Sequence, residues 1–150
     1  MASGKVTAAD IAELVERTAE AAKAYMRGDM QTYFTLIRHG DDFVLMSPFG
    51  GEPNRGVDTS PESLEARQRY FRNGEAELQV VQTYTSGDMV VVVAIERQHG
   101  EVGGLPDQDW SLRATLVFQR DGSGWRQVHR HADALVHGIN LERLAVLARG

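Results

Sequence analysis

The 150-residue sequence contains no cysteine and lacks several other features that mark common functional classes. The absence of thiols excludes disulfide frameworks, thiolate zinc sites and thiol nucleophiles. The net charge is −5 and no run of Lys or Arg offsets it, which argues against nucleic acid as a partner. No apolar run approaches the length of a membrane span, and the first residues lack the apolar core of a signal peptide. We therefore expect a cytoplasmic protein with no nucleic-acid or membrane partner.

The sequence motifs of several enzyme classes are missing as well. There is no Gly-x-Ser-x-Gly motif and no dinucleotide fingerprint, which disfavours covalent serine catalysis and nucleotide cofactors. The pair Gly50-Gly51 is not followed by a helix start with Lys, so it is not a phosphate-binding loop. We expect no cofactor and no resident metal.

The first part of the chain predicts two helices. Residues 7–27 carry apolar side chains at a 3.6-residue spacing, and Thr7 with Asp10 three residues on is a helix-capping pattern. A shorter helix is expected to follow Asp29 as its cap and to end at Gly40.

A strand and a third helix are expected next. The apolar run 41–48 stops at a proline and predicts a strand, and a loop rich in glycine and proline follows over 49–61. Thr59 begins a second capping pattern, for a helix over 61–73 that ends at Gly74.

The second half of the chain is strand-like. Four runs rich in Val, Thr, Leu and aromatic residues follow one another with short connections, which predicts an antiparallel meander. Such a sheet cannot cover its own inner face, so the helices must pack on it. We predict an α+β fold: a cone-shaped single domain over 1–150, with its core at about 8–136 and a C-terminal tail helix over 140–149. Three N-terminal helices would pack on a curved, mostly antiparallel sheet and leave a tapered cavity.

This order of elements resembles the nuclear transport factor 2-like superfamily over about residues 8–136. The last hairpin of its SnoaL-like and ketosteroid isomerase homologue group is similar to residues 112–133, LRATLVFQRDGSGWRQVHRHAD. The first strand and following loop of that group are similar to residues 43–56, FVLMSPFGGEPNRG. The resemblance implies the cone fold. It does not specify one activity, because members of this superfamily include isomerases, dehydratases and cyclases as well as non-catalytic binding domains.

The most informative stretch is WRQVHRHAD. In a regular strand, five alternate residues share one face: Trp125, Gln127, His129, His131 and Asp133. A histidine oriented by a carboxylate is a general acid or base near neutral pH. We therefore expect His131, with His129 as its alternate, to be catalytic and Asp133 to orient the ring. Structural hydrogen bonds or packing in a dimer interface are equally open interpretations.

Two further questions concern this hairpin. The His-x-His pair could bind a metal with Asp133 as a third ligand, although no other Glu or His at a telling spacing completes the set. A simple turn at 121–124 would place Arg113 on the face opposite the histidines, whereas a one-residue bulge at the glycines would bring Arg113 and Thr115 beside them. A buried Arg113 would bind a carboxylate or enolate oxygen of a substrate.

Aromatic and methionine side chains are candidate cavity walls or plain core. Tyr33 stands out because a buried hydroxyl needs a hydrogen-bond partner, and we expect it to donate to developing oxyanion charge. The other candidates for contact with substrate are Tyr25, Phe34, Phe43, Met46, Phe49, Phe71 and Trp110. The valine run 90–93 is expected to be buried on both faces, which would suit a homodimer formed through the sheet.

Together these features predict a cofactor-free enzyme that binds an apolar small molecule with a carbonyl group. The expected chemistry is proton transfer, as in isomerases and lyases: isomerisation, cyclisation or dehydration. The alternative is a non-catalytic dimeric domain that binds a small ligand or a protein partner.

Overall fold

The computed structural model describes residues 4–150, and residue 1, the predicted start of the domain, lies outside this range. Within the described range the helices are α1 (Ala8–Met26), α2 (Met30–Leu36), α3 (Pro61–Tyr70) and α4 (Leu141–Arg149). The strands of the same range are β1 (His39–Met46), β2 (Asn54–Arg55), β3 (Phe71–Ser86), β4 (Met89–Val102), β5 (Gln108–Asp109), β6 (Leu112–Asp121) and β7 (Gly124–Asp133). Across residues 4–150, no helix has the length and apolar character needed to span a membrane.

The strands form one curved, mixed sheet in the order β2–β1–β7–β6–β4–β3, with β5 paired to β4. The four long strands of the second half pair antiparallel, as their short connections predict. Strand β1 joins the sheet in parallel with β7. The predicted α+β cone fold, with helices packed on a curved sheet, is confirmed.

Helices α1 and α2 close over one side of the sheet, which we call the inner face. Along β4 and β6 every second side chain is buried there, as the two-residue period of a strand requires. Val90 and Val92 are fully buried on this face, whereas Val91 and Val93 on the opposite, outer face are only partly buried. The valine run is thus buried on one face of this chain. The main core cluster contains Leu14, Ala21, Ile37, Val90, Val92, Ala94, Leu112, Ala114, Leu116, Phe118 and Ala132.

The first helix is capped as its sequence predicts. The Thr7 side chain accepts a hydrogen bond from the backbone N–H of Asp10, and the Asp10 carboxylate accepts one from the backbone N–H of Thr7. Gly28 follows the helix with a φ of +81°, and a Cβ at this position would collide with the carbonyl oxygen of Phe71. The glycine therefore allows the end of α1 to approach the start of β3 closely.

Two helices end earlier than their sequence patterns predict. Helix α2 ends at Leu36, and Gly40, the predicted stop, lies inside β1. Helix α3 ends at Tyr70, because the next residue already pairs with β4 at the start of β3. Its cap is Ser60, whose side chain accepts from the third residue of the helix, and not the predicted Thr59.

A β-bulge in β7 decides which of its residues face inward. Val117 of β6 pairs with His129, but the next residue, Phe118, pairs with Gln127, so Val128 has no partner opposite it. The alternation of faces therefore shifts by one residue at Val128. The predicted common face of Trp125, Gln127, His129, His131 and Asp133 is wrong for this reason.

Candidate functional site

The cone interior contains an ion pair that no sequence pattern indicates. Arg130 donates from Nη1 to Oε2 of Glu96 at 2.8 Å and from Nη2 to Oε1 at 2.6 Å, the forked geometry that suits a guanidinium and a carboxylate. The Glu96 side chain is 5% exposed and that of Arg130 is 21% exposed. Burial opposes the charge on Arg130, but the Glu96 carboxylate more than offsets it, so the pKa of Arg130 is raised above its ordinary value.

A row of small side chains makes room for this pair. Ala94, Ala114 and Ala132 lie side by side across β4, β6 and β7, and all three are buried. Arg130 lies on one side of this row and Glu96 on the other, two strands away. Because an alanine side chain ends at Cβ, the long arginine side chain can cross the row to reach the carboxylate. The bulge at Val128 turns Arg130 to the inner face, and the three alanines leave room for its guanidinium inside the cone.

Two tyrosines lie beside the pair. The rings of Tyr25 and Tyr33 meet edge-on with centroids 5.0 Å apart, and Tyr33 packs in the same way on Phe34 at 4.9 Å. Burial raises the pKa of Tyr33 to about 12, and the charge of Arg130 only partly offsets this. Burial also raises the pKa of Tyr25. Both phenols are therefore protonated at neutral pH and can donate a hydrogen bond, as expected for Tyr33.

His39, at the start of β1, lies in the same aromatic group. Its ring centroid is 5.6 Å from that of Phe34 and 5.9 Å from that of Tyr33. Burial, followed by the charges of Arg67 and Arg130, lowers the pKa of His39 to about 4. The imidazole is neutral at pH 7 and can accept a proton. No sequence motif marks this residue, because its neighbours come from α2, α3 and β7.

The interior carries more positive than negative charge. Arg67 of α3 lies over the ring of Phe34, 5.6 Å from its centroid, and donates to the backbone oxygen of Asp58 at 3.0 Å. It therefore adds a second cation at the edge of the interior, whereas the Glu96 carboxylate neutralises the charge of Arg130. We call Tyr33, His39, Glu96 and Arg130 the interior cluster. A neutral donor, a neutral acceptor and a nearby excess of positive charge suit a ligand on which negative charge develops.

Gln127 adds a buried acceptor close to this cluster. It is 3% exposed, and within residues 4–150 its Oε1 has no hydrogen-bond partner. Gln127 pairs with His39 in the parallel ladder, so the two side chains leave the sheet at the same level. A buried oxygen without a partner costs free energy unless a ligand or a water donates to it.

The predicted catalytic histidines lie on the outer face. His129 donates from Nδ1 to the backbone oxygen of Val44 at 2.8 Å and so ties β7 to β1. His131 lies with Nε2 3.7 Å from a carboxylate oxygen of Asp133, and the two side chains are 49% and 54% exposed. These residues would have to act on a ligand held against the outer face, and their catalytic role stays a prediction.

Arg113 lies on the same outer face. It pairs with Asp133, and Thr115 pairs with His131, which is the arrangement expected if the hairpin contains a bulge. The bulge is at Val128 and not at the glycines of the turn. Arg113 is exposed and donates to the backbone oxygen of Leu135 at 3.3 Å, so it does not point into the cone.

The predicted cavity walls divide into two groups. Tyr25 and Phe34 belong to the interior, and Phe71 meets Tyr25 edge-on at 4.7 Å. Phe43 is buried and packs its ring edge-on against the ring of His39 at 4.6 Å. These four side chains lie in one aromatic group with Tyr33 and His39, and their contact with a substrate stays a prediction.

The other three predicted walls lie elsewhere. Met46 is 36% exposed and pairs with His131 on the outer face, and Phe49 is 79% exposed in the loop after β1. Trp110 packs in a separate small cluster near Val102 and donates from its ring N–H to the oxygen of Gly100 at 3.0 Å. Periodicity cannot separate these cases because all three residues are simply large and apolar.

A surface histidine offers a first testable prediction. His99 of β4 lies with Nδ1 2.8 Å from Asp107 and Nε2 3.2 Å from Glu75. A neutral imidazole donates from one nitrogen, so both bonds require the imidazolium. The hydrogen bond to Asp107, followed by that to Glu75, raises the pKa of His99. By linkage, the two hydrogen bonds of the His99 imidazolium should stabilise the fold at pH values below the ordinary histidine pKa. This contribution should disappear as the pH rises through the raised pKa of His99 in the folded state.

The prediction for His99 can be measured by an NMR titration of the imidazole signals. We expect its midpoint above the ordinary ~6.5, and we expect Glu75→Gln to lower it. Glu77→Gln is a matched control, because Glu77 lies on the same strand and makes no bond to the imidazole. A midpoint at the ordinary value in the unmodified protein would contradict this account of His99.

Comparison with known proteins supports the fold described above. The sequence matches the SnoaL-like domain family over residues 14–136, and no curated protein matches it. A similar solved structure is that of a proposed dehydratase of the nuclear transport factor 2-like family from Streptomyces avermitilis. It is 21% identical, covers 86% of this chain and 98% of its own, and has a TM-score of 0.66.

Two other solved structures are similar to this chain. A nuclear transport factor 2-like superfamily protein from Salmonella enterica is 17% identical over 89% of this chain and 94% of its own, with a TM-score of 0.68. A CaMKII hub from S. rosetta is 20% identical over 89% of this chain and 98% of its own, with a TM-score of 0.65. At these identities the likeness establishes the fold alone. Because the family match covers most of the sequence, the chain belongs to the SnoaL-like domain family, and its fold is the one seen in the nuclear transport factor 2-like structures.

Proposed function

We propose that this chain binds a small, apolar carbonyl compound in the cone interior and catalyses proton transfer on it without a cofactor. One observation carries the proposal: a phenol that stays protonated and an imidazole that stays neutral lie side by side, 5.9 Å between ring centroids, next to the charge of Arg130. Donor and acceptor of this kind are the two groups that enolisation of a carbonyl compound needs.

The proposed reaction begins when the Tyr33 hydroxyl donates a hydrogen bond to the carbonyl oxygen of the substrate. The neutral imidazole of His39 then takes a proton from the carbon next to the carbonyl group. The electron pair of the broken C–H bond forms a C=C bond, and the carbonyl oxygen becomes an enolate oxygen. The imidazolium returns its proton to another carbon in an isomerisation, or to a leaving hydroxyl group in a dehydration.

The electrostatics of the interior favour this step although the free imidazole is a weak base. Burial is the main reason for the low pKa of His39, and the charges of Arg67 and Arg130 contribute as well. An enolate in contact with these groups brings a negative charge into the interior. That charge offsets the repulsion between the arginines and the imidazolium, by ~4 kcal/mol for a pair 4 Å apart at an effective dielectric constant of about 20. The basicity of His39 therefore increases as the transition state forms.

A ligand-binding experiment tests the proposal. Thermal shifts would be measured with a panel of small ketones and enones, aromatic and alicyclic, because any compound that binds the folded state raises its Tm. We expect at least one to bind, and Tyr33→Phe to weaken its binding about tenfold through the loss of one hydrogen bond. Tyr84→Phe is the control, since Tyr84 is 60% exposed on β3. The proposal fails if no compound binds, or if Tyr33→Phe leaves the affinity unchanged.

A second candidate function is a dimeric binding domain without catalysis. The observation that favours it is an apolar patch on the outer face of the sheet, where Val91 pairs with Val117 and Val93 with Thr115. Tyr84 on the neighbouring strand continues this surface. A partly exposed apolar patch of this kind suits an isologous homodimer. In such a dimer His129 and His131 would serve the interface, and a ligand that binds would not be turned over.

A further inference from the structure

Helix α4 packs little against the rest of its own chain. No residue of α4 is buried, and over residues 4–150 the helix has no extensive contact with another helix or strand. Its large apolar side chains are all at least half exposed: Leu141 75%, Leu144 50%, Val146 57% and Leu147 59%. At 3.6 residues per turn, Leu141, Leu144 and Leu147 share one side of the helix with its two alanines, and the polar residues Glu142, Arg143 and Arg149 lie with Val146 on the other side.

A helix of this length needs a partner in order to persist in water. Isolated helices shorter than about 12 residues are marginal, because the first turn is costly to nucleate, and α4 has nine residues. Its cap is nevertheless well formed, with the Asn140 side chain accepting from the backbone N–H of Arg143 at 2.9 Å. A capped, strongly amphipathic segment is typical of a helix that packs its apolar side on another surface.

The path of the chain indicates which surface lies within reach. After β7 the chain passes Arg113, an outer-face residue that donates to the backbone oxygen of Leu135 at 3.3 Å. This bond holds the segment that leads to α4 on the outer side of the sheet at Leu135. That side also carries the partly exposed apolar patch of Val91, Val93 and Val117, with the exposed Tyr84 beside it.

We propose that α4 is a dimerisation arm. Its apolar side packs on a second copy of this chain, in a dimer in which the outer sheet faces of the two copies lie against each other. The proposal rests on the sheet-to-sheet homodimer described above. By twofold symmetry each copy both donates an arm and receives one, so two uncovered apolar surfaces of the same chain become covered together.

The areas involved fit this arrangement. A nine-residue helix is about 14 Å long and about 10 Å wide, so one side of α4 covers on the order of 140 Å². A stable interface buries about 800 Å² on each partner, so the arm alone is insufficient. Four strands spaced at ~4.8 Å and about eight residues long present roughly 19 Å by 26 Å, which supplies most of the remainder. The arm adds to a sheet interface and does not replace it.

The test is the dimer dissociation constant of the whole chain, measured by sedimentation equilibrium. The arm variant combines Leu144→Asp with Leu147→Asp, and we expect it to raise the dissociation constant by about 100-fold or more. Arg143→Gln, on the polar side of the same helix, should leave the dissociation constant unchanged. Because α4 has no buried residue, the arm variant should keep the thermal stability of the monomer.

A second measurement does not depend on loss of binding. The chain has no cysteine, so Leu144→Cys introduces a unique site for a nitroxide label. We expect the label to become immobile as the protein concentration rises through the dissociation constant. An arm that folds back on its own chain would immobilise the label at every concentration and would overturn the proposal.

The outcomes separate the arm from the dimer on which it rests. A dimer that the arm variant weakens, while Arg143→Gln does not, supports the inference. A dimer that dissociates with Val93→Asp but is untouched by the arm variant overturns the arm and leaves the sheet interface standing. A chain that is monomeric at high concentration overturns both, and the interior chemistry proposed above is unaffected.

Discussion

Replacing Glu96 by Leu should destabilise the fold by about 3–5 kcal/mol, because it leaves the buried guanidinium of Arg130 without its counter-charge. Arg130→Met should cost a similar amount through the opposite defect, an unpaired buried carboxylate. Both partners lie in the interior, with side chains 5% and 21% exposed. The Glu96 carboxylate in particular has almost no contact with solvent.

The double variant, Glu96→Leu with Arg130→Met, is expected to be far more stable than either single change. Removing both charges also removes the cost of burying them, and apolar replacements of similar size are often neutral. Urea denaturation of the four proteins gives the coupling free energy of the pair. The exposed pair Glu65–Arg69, with side chains 70% and 68% exposed, is the control and should contribute less than about 1 kcal/mol. Single variants at 96 and 130 that cost no more than this control would refute the account of the interior.

His39→Gln should lower kcat by about 10²–10⁴-fold on any substrate that the ligand panel identifies, because a glutamine amide cannot accept a proton. In the unmodified enzyme kcat/KM should fall at acid pH as the free imidazole becomes protonated, with a midpoint near its pKa of about 4. A base with an ordinary histidine pKa would instead give a midpoint near ~6.5. A profile with this higher midpoint, abolished by His131→Gln, would assign the chemistry to the outer face.

The same histidine should make the fold sensitive to acid. Its pKa is lowered in the folded state, so the unfolded chain binds the proton more readily and stability increases with pH through this region. The contribution of neutral His39 should be complete above pH ~6.5 and lost progressively down to its folded value of about 4, in total about 3 kcal/mol. Urea denaturation between pH 4 and 6.5 measures the free energy of unfolding. This free energy should depend less on pH in His39→Gln than in the unmodified protein.

Local sequence patterns predict the elements of this fold well because local physics determines them. The capping box of Thr7 and Asp10 and the apolar spacing behind it define α1. Short connections specify the antiparallel order of the last long strands. Errors arise at junctions, where pairing in the sheet overrides the local signal: α3 ends at Tyr70 because Phe71 already belongs to β3.

The interior cluster could not be predicted in the same way. Arg130 and Glu96 are 34 residues apart and lie on strands separated by a third, so their contact depends on the register of the whole sheet. The bulge at Val128 reverses the facing of every residue after it, and one unpaired residue has no sequence signature. His129 and His131 are conspicuous in the sequence. Because of this single shift they lie on the outer face of the sheet, and Arg130 between them lies on the inner face.

The most direct test of the interior site is a crystal structure with the compound that raises the Tm most. We predict density for that compound inside the cone, with its carbonyl oxygen within hydrogen-bond distance of the Tyr33 hydroxyl and its carbon skeleton against His39. Density on the outer face, against His129 and His131, would contradict the account and return the chemistry to the histidines of β7.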